Sequence, residues 1–246
     1  MKRSLLAVSA LISTLSVVPS LSHADEQGPE SSAPFNLSLA SEYRYRGISQ
    51  TRFQPALQGG YDYSNPNGIY LGTWLSSIKW IKDAGGNANV EWDLYGGYKG
   101  AINKDLSYDV GGLYYEYSSN HLTPSANTFE IYGALTYGLF TAKYSHSTTN
   151  LFGFNDSRGS GYLDLSASFD LGNGWSLAPH IGHQSVAHFS KASYNDYSLT
   201  LGKDLGKGFN LSAALIGTDA DKTTYVSPSG QFLGRSTLVG IIKYNF

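Results

Sequence analysis

Ser236-Thr-Leu-Val-Gly-Ile-Ile-Lys-Tyr-Asn-Phe246 is a segment in which two kinds of side chain alternate. Successive side chains of a β-strand point to opposite faces, so a period of two predicts a strand. The apolar face carries Leu238, Gly240, Ile242, Tyr244 and Phe246, and the mixed face carries Thr237, Val239, Ile241, Lys243 and Asn245. Such a strand fits the end of a soluble β-sandwich or of a membrane barrel, and the rest of the chain decides between the two.

Segments of about ten alternating residues, the length typical of barrel strands, recur along the chain. One of them has no clear outer face, because its two sides are both apolar: Ile69, Leu71 and Leu75 oppose Tyr70, Trp74 and Trp80. The predicted strands lie at about 35–45, 53–63, 69–80, 89–98, 105–115, 128–137, 139–146, 161–171, 175–184, 195–203, 209–217 and 236–246.

The connections between these strands alternate strictly in length. Short turns are expected near 64–68, 100–104, 138, 172–174 and 205–208, and longer polar connections near 46–52, 81–88, 117–127, 147–159, 185–194 and 218–235. An up-and-down barrel with tight turns on one side and long loops on the other has this rhythm, whereas a Greek-key sandwich has no reason for it. The prediction is an all-β fold, a transmembrane up-and-down antiparallel β-barrel of about 12 strands.

Aromatic residues recur near the predicted strand ends, with aliphatic residues between them. Two aromatic belts around an aliphatic band match the two interfaces of a bilayer, and lipid is therefore an expected partner. The aromatic residues expected at the lipid interface beside the short turns are Tyr63, Tyr98, Tyr137, Phe169, Trp175, Tyr244 and Phe246. Those expected beside the long loops are Tyr45, Phe53, Tyr114, Phe129, Tyr144 and Tyr197.

Composition excludes several classes of function. Charged residues make up only 15% of the chain while Tyr reaches 19 and Gly 28, which suits a pleated surface better than a helical core. The formal net charge of −2 gives no basic footprint, so no nucleic-acid partner is expected. The absence of Cys removes disulfides, thiolate metal sites and Cys nucleophiles.

The beginning of the chain reads as a targeting segment. Lys2 and Arg3 precede an apolar run, and Ser22-His23-Ala24 offers small residues before Asp25, so residues 1–24 are predicted to be a signal peptide cleaved after Ala24. Residues 25–33 are expected to be a flexible lead-in, and residues 34–246 the barrel. No apolar run after Ala24 is long enough for a transmembrane helix, so a closed barrel is the expected way to span a bilayer.

Three stretches resemble known outer-membrane proteins. The closing strand, with its final Phe246, resembles the last strand of bacterial outer-membrane barrels, which implies recognition by the barrel-assembly machinery. Ser41-Glu-Tyr-Arg-Tyr-Arg-Gly-Ile-Ser-Gln-Thr51 and Gly68-Ile-Tyr-Leu-Gly-Thr-Trp-Leu-Ser-Ser-Ile-Lys-Trp80 resemble the TorF family of outer-membrane porins. The resemblance covers the predicted mature chain and implies a bacterial outer-membrane location and a pore, without naming a substrate.

Charged residues on the mixed strand faces are the candidate lumen residues. Glu42 and Arg44 lie two positions apart on one face, so they are expected to pair inside the lumen while Tyr43 and Tyr45 meet lipid. A structural ion pair is favoured over solute selection as their role. The lumen-facing candidates are Glu42, Arg44, Asp62, Glu91, Asp93, Glu130, Lys143, Asp164, His180, Asp196 and Lys243.

Metal, cofactor and catalytic sites are not expected. His180 and His183 lie three positions apart and so point to opposite faces of a strand, which argues against a metal site. No G-x-S-x-G elbow occurs in the chain, so no catalytic residue is assigned, although barrel enzymes that hydrolyse lipid or peptide keep that alternative open. Phe152 and Phe154 lie in the predicted loop 147–159, expected by default to be mobile, with inward folding or partner contact as the alternatives.

Twelve strands predict a narrow pore, because eight strands enclose a filled interior and sixteen leave an open channel. The expected function is a porin-like channel for small solutes, and the excess of carboxylates favours cations or neutral solutes. The alternatives are an outer-membrane hydrolase and a non-conducting barrel that binds a partner through its outer loops. The sequence leaves the permeant and the oligomeric state open.

Overall fold

The structure, a computed structural model, describes residues 35–246. The predicted signal peptide and lead-in, residues 1–24 and 25–33, lie outside the described residues. The strands are β1 (Phe35–Ala40), β2 (Arg44–Tyr45), β3 (Ile48–Ser49), β4 (Ala56–Ser64), β5 (Ile69–Ser77), β6 (Val90–Ala101), β7 (Leu106–Glu116), β8 (Thr128–Tyr137), β9 (Phe140–Ser147), β10 (Gly161–Ala167), β11 (Phe169–Gly172), β12 (Trp175–Ser185), β13 (Tyr194–Gly206), β14 (Phe209–Thr218) and β15 (Thr237–Asn245). One short helix, α1 (Trp80–Asp83), and one 3₁₀ turn, Ser190–Ala192, lie in the connections.

The sheet closes into an antiparallel ring. β2 and β3 pair only with each other, and β4 follows β1 in the ring. From β4 to β10 and from β12 to β15 each strand pairs with the next one in the chain, and β1 pairs with β15, with Asn36 opposite Asn245 and Ala40 opposite Ile241. β10 and β11 both pair with β12 and form one strand interrupted at Ser168. The ring therefore has twelve members, and the predicted all-β barrel is confirmed.

Side chains alternate between the outside and the inside of this ring. On β6, Trp92 and Leu94 are exposed on the outer surface, whereas Glu91 and Asp93 are buried inside. The alternation leaves most large apolar side chains outside and the charged ones inside, the reverse of a soluble protein and the pattern of a barrel in lipid. No helix in residues 35–246 is long and apolar enough to cross a membrane.

The ambiguous third strand is resolved by β5. Leu71 is 60% exposed and lies outside with Ile69 and Leu75, while Tyr70 is buried on the inner face. The strand ends at Ser77, so Trp80 begins α1 instead of continuing the strand to residue 80.

The two rims of the barrel differ as the connection lengths predicted. Short turns at 65–68, 102–105, 138–139, 173–174 and 207–208 lie at one rim, here called the turn rim. Long connections at 41–55, 78–89, 117–127, 148–160, 186–193 and 219–236 lie at the other, the loop rim. The predicted alternation of short and long connections is confirmed.

The first predicted strand is wrong at its end. β1 stops at Ala40, where Ser41 takes the last bonds to β15: its amide donates to the Gly240 carbonyl at 2.8 Å and its hydroxyl accepts from the Gly240 amide at 3.0 Å. The chain then turns into the barrel. Tyr43 and Tyr45, expected to meet lipid, are 1% and 8% exposed and lie in the interior.

The second predicted strand is wrong at its beginning. β4 starts at Ala56 rather than near residue 53, and Phe53 lies in the preceding connection, not in the outer aromatic belt. The ring of Phe53 packs against guanidinium groups, 3.8 Å from Arg235 and 5.6 Å from Arg44. A period of two continues through residues 41–45 in the sequence, so alternation alone does not show where pairing with β15 ends.

Candidate functional site in the barrel lumen

In this structure the charged side chains named above as lumen candidates lie on the inner side of the ring. Glu42 and Arg44 belong to the segment that folds inward after β1, and the others project from the barrel wall. Those on the wall are Asp62, Glu91, Asp93, Glu130, Lys143, Asp164, His180, Asp196 and Lys243.

A short hairpin occupies the lumen near the loop rim. We call residues 41–52 the inner hairpin; its strands β2 and β3 pair through Tyr45 and Ile48 and leave Arg46 and Gly47 at the tip. Both tip residues have positive φ, 44° and 78°, as a two-residue hairpin turn of type I′ requires. A Cβ at Gly47 would overlap Thr218 and lie 2.9 Å from the Asp196 Cβ, so only glycine fits this approach to the wall.

Arg46 carries the tip of the inner hairpin to the far wall. Its Nη2 donates to Glu130 Oε2 on β8 at 2.6 Å, and its Nη1 donates to Gln184 Oε1 on β12 at 2.6 Å. The guanidinium carbon lies 4.2 Å from the ring centroid of Tyr162 on β10. Arg46 and Glu130 are 4% and 2% exposed, so this ion pair is withdrawn from solvent, where breaking one partner is costly.

Two tyrosines fix the base of the inner hairpin. Tyr43 donates its hydroxyl to Glu91, and its ring packs edge-on against Trp74 at 5.4 Å. The hydroxyls of Tyr45 and Tyr115 lie 2.7 Å apart. Together with Arg46, these contacts reach β5, β6, β7, β8, β10 and β12, so the inner hairpin extends across the lumen.

The predicted ion pair of Glu42 and Arg44 is present inside the inner hairpin. Arg44 Nε lies 3.3 Å from Glu42 Oε1, and Arg44 Nη1 donates to the Gly47 carbonyl at 2.7 Å. Both side chains are buried. The pair therefore holds the hairpin's own shape, in a different place from the wall position that the strand assignment predicted.

Loops of the rim cover the inner hairpin from outside. Phe152 packs edge-on against Tyr45 at 5.3 Å and Tyr115 at 5.1 Å. Arg52 forms an ion pair with Asp83 in the neighbouring connection. Of the alternatives for the predicted loop 147–159, Phe152 takes inward folding in this structure. The loop end of the lumen is therefore filled in this structure.

The half of the lumen toward the turn rim has a different lining, in which tyrosine hydroxyls meet carboxylates. Tyr70 donates to Asp109 at 2.7 Å, and Tyr95 donates to Asp62. Lys143 lies 4.1 Å from the ring centroid of Tyr132. Several of the wall side chains here are only half-buried, so this half is reached by solvent.

Three of the proposed lumen residues meet on β10, β12 and β13. His180 Nε2 lies 3.3 Å from Asp164 Oδ2, and His180 Nδ1 lies 3.6 Å from Asp196 Oδ2. His183 points to the outer side, where it bonds Asn195 at 2.8 Å, so the predicted divergence of the two histidines is confirmed. In residues 35–246 no group of three or more His, Asp or Glu side chains is arranged to hold a metal ion.

The aromatic residues proposed for the lipid interface lie on the outer surface near the turn rim. Tyr63, Tyr98, Tyr137, Trp175 and Phe246 are exposed there. Phe169 and Tyr244 are half-buried by neighbours: Phe169 lies opposite Leu177, and Tyr244 packs against Phe209 at 4.6 Å and Phe246 at 4.9 Å.

Sequence reasoning missed the residues that fasten the inner hairpin. Arg46, Gln184, Tyr162 and Tyr115 were not among the candidates, although each lies at the centre of the filled region. One signal was available: an Arg-Gly pair between strand-forming residues is compatible with a primed hairpin turn. Burying an arginine without a partner costs free energy, so an arginine at such a tip indicates a partner on the wall.

The fold is a closed twelve-stranded antiparallel barrel with a largely apolar exterior and charged side chains inside, and solved porins share this fold. The chain superposes on the NanC porin with a TM-score of 0.60 and on the KdgM porin with 0.57, each at 9% identity, covering 86% of this chain and 98% of the porin. A KdgM porin in complex with disordered oligogalacturonate matches with a TM-score of 0.57 at 8% identity, with the same coverage.

The chain belongs to the Gcw_chp family, described as bacterial protein of unknown function, whose profile matches residues 24–246. The TorF resemblance stays a prediction, because that profile does not carry the name. No curated protein sequence matches the chain.

Proposed function

We propose that this protein is a narrow porin-like channel of the bacterial outer membrane that passes small solutes. The observation that carries the proposal is the lining of the lumen: most strands turn charged and hydroxyl-bearing side chains inward, while the large side chains on the outer surface are mostly apolar. The inner faces of β14 and β15 are the exception, with an apolar cluster of Ala214, Ile216 and Val239. A wall of this kind can solvate a polar solute. Its polar groups would cost free energy in a dry interior, so they favour a lumen that water or solute enters.

The lumen charges favour cations or neutral solutes. Carboxylates outnumber basic groups among the inward side chains: Glu42, Asp62, Glu91, Asp93, Asp109, Glu130, Asp164 and Asp196 stand against Arg44, Arg46, Lys99, Lys143 and Lys243. Fixed negative charge raises the local concentration of cations and repels anions.

Reversal potentials in planar bilayers test this preference. Under a potassium chloride gradient, the reversal potential of the purified protein is expected to shift toward the potassium equilibrium potential. Asp62→Asn keeps an oxygen for Tyr95 but removes a lumen charge, and it is expected to reduce the shift. Asp105→Asn, at an exposed turn outside the lumen, is the matched control and leaves the shift unchanged.

A clear anion preference would contradict the charge argument. Absence of conductance from correctly folded protein would favour the second candidate, a non-conducting barrel that binds a partner through its loops. The filled loop end of the lumen is the specific observation in favour of that candidate.

An enzymatic role is not part of the proposal. Among the five histidines in residues 35–246, His180 bonds Tyr162, His183 bonds Asn195 and His188 bonds the Asp156 carbonyl, and His121 and His146 form no side-chain hydrogen bond. None of these histidines is bonded to a serine that it would activate. We also propose outer-membrane lipid and the barrel-assembly machinery as partners, the latter through β15 and Phe246.

A further inference from the structure

The guanidinium group of Arg46 lies in a pocket of the barrel wall. Three barrel strands supply it: Glu130 from β8, Tyr162 from β10 and Gln184 from β12. All three side chains are at least nine-tenths buried, and none belongs to the inner hairpin. The pocket is therefore part of the wall, and Arg46 enters it from a separate segment, the inner hairpin.

Gln184 is oriented by its own amide group. Its Nε2 donates to the carbonyls of Gly161 and Ser185, each at 3.1 Å. With the nitrogen used in this way, Oε1 points into the lumen, where it accepts from Arg46. The acceptor is thus aimed at a donor by contacts that do not involve the inner hairpin.

Tyr162 and Glu130 are also held by wall residues. The Tyr162 hydroxyl donates to Asp196 at 2.9 Å, and its ring lies over Gly182, where a Cβ would be 2.6 Å from the ring carbon Cζ. The Tyr115 hydroxyl donates to Glu130 Oε2 at 3.3 Å. The pocket would therefore keep much of its shape when Arg46 leaves it.

The chemistry of the pocket is specific for a planar cation with several donors. A carboxylate and an amide oxygen accept from two separate nitrogens of the guanidinium, and an aromatic face lies against its plane. A primary ammonium is a compact charge without the planar fork, so it cannot satisfy the two acceptors and stack on the ring in the same way.

We propose that Glu130, Gln184 and Tyr162 form a binding site for guanidinium-bearing solutes and that Arg46 is its tethered occupant. The second part of the proposal rests on the channel function: a solute that displaces Arg46 releases the tip of the inner hairpin and opens the lumen. A group tethered by a short segment acts at an effective concentration on the order of millimolar, so the free solute competes only at concentrations of about that size.

Direct binding tests the site without requiring conduction. The probe is n-propylguanidinium, which reproduces the arginine side chain, titrated calorimetrically into the full barrel in detergent, with n-propylammonium as the matched probe of equal charge. Arg46→Ala, whose site is vacant, is expected to bind n-propylguanidinium at least about tenfold more tightly than the wild type, in which the tethered side chain competes. Adding Glu130→Gln to Arg46→Ala is expected to weaken that binding at least about tenfold.

Arg158→Ala is the control variant, because Arg158 is an exposed loop-rim arginine outside the pocket, and it is expected to behave as the wild type. Heat-modifiable migration on a gel reports whether each barrel is folded. If Arg46→Ala does not fold, Arg46→Lys replaces it, since lysine keeps the positive charge but lacks the planar guanidinium group that bonds both acceptors. Equal binding of the two probes to the folded variant, or no binding, would overturn the proposed site.

Single-channel recording tests the opening. Millimolar n-propylguanidinium is expected to raise the open fraction of the wild-type channel and to block Arg46→Ala, whereas n-propylammonium does neither. An unchanged open fraction in a conducting wild type would overturn the displacement step. Calorimetric binding without conductance in any variant would overturn the channel function and leave the guanidinium site standing.

Discussion

At the scale of single residues, the lumen is shaped by tyrosine rings that lie on glycines of the neighbouring strand. Tyr162 lies on Gly182, Tyr95 on Gly72 and Tyr70 on Gly97. Each glycine gives the ring room to lie along the wall, from which its hydroxyl reaches a carboxylate. These glycines are used for close approach and not for an unusual backbone angle.

We predict that Gly182→Ala destabilises the barrel through Tyr162. The new methyl group would meet the ring and displace it from Asp196, which at a tightly packed site costs about 1–3 kcal/mol. Urea unfolding followed by tryptophan fluorescence measures the loss. Gly240→Ala is the matched control, because a Cβ there meets nothing within 4 Å, and equal stability of the two variants would contradict the prediction.

The sequence predicts the direction of charged side chains better than it predicts their partners. Asp164, His180 and Asp196 lie on mixed faces that alternation identifies, and all three are inside the ring. Their meeting depends on the register of three strands, which alternation leaves undetermined. For Arg46 even the direction of the side chain was not predictable. The alternation of residues around it does not distinguish a loop in solvent from a hairpin tip in the lumen.

At the scale of elements, the inner hairpin is the part that fills the lumen near the loop rim. Its burial is unusual for a connection between strands, since a buried loop must satisfy its own polar groups. β2 and β3 satisfy some of them by pairing with each other, and the Ser49 amide donates to the Leu233 carbonyl at 3.0 Å.

Replacing residues 42–51 by a short Gly-Ser linker is expected to raise the unit conductance severalfold, because the linker leaves the cross-section near the loop rim empty. Single-channel recording in planar bilayers measures the change. Phe189→Ala, an exposed loop-rim residue outside the lumen, is expected to keep the wild-type conductance. A conductance unaffected by the replacement would show that the inner hairpin does not obstruct the path.

The strands themselves were largely predictable, and the inner hairpin was not. Strands such as β6 and β13 combine a clear period of two with turn residues at their ends, so their pattern is local. Residues 41–52 contain the same aromatic and charged alternation, but whether an aromatic face meets lipid or lumen is decided by distant partners such as Glu91 and Tyr115.

At the scale of the whole molecule, the closed ring of strands turns one face of every strand outward, and this outer surface must stay apolar for the barrel to lie in a bilayer. Leu199 lies near the middle of β13 on the outer face, with Leu215 opposite it on β14. The strands are hydrogen-bonded to one another around the ring, which leaves the outer surface to side chains. The fold was predictable from the alternation of connection lengths, whereas the permeant depends on a lumen whose filling the pattern does not reveal.

We predict that Leu199→Arg lowers the free energy of unfolding in lipid vesicles by about 2–4 kcal/mol, because a charge is placed at the middle of the lipid-facing band. Tyr197→Arg, nearer the loop rim on the same strand, is expected to cost only about 0–1 kcal/mol. Urea titration in vesicles measures both variants. Equal costs at the two positions would contradict a depth-dependent lipid contact.

The pairing of β1 with β15 has a consequence for biogenesis. Phe246 donates its amide to the Phe35 carbonyl at 3.0 Å, so the first and last strands of the described residues meet at one seam. Until β15 arrives, the nascent sheet has two bare edges, and bare edges join readily to those of other chains. Keeping unfinished copies apart, by chaperones or by immediate docking at the membrane, is therefore a requirement imposed by the connectivity of the ring itself.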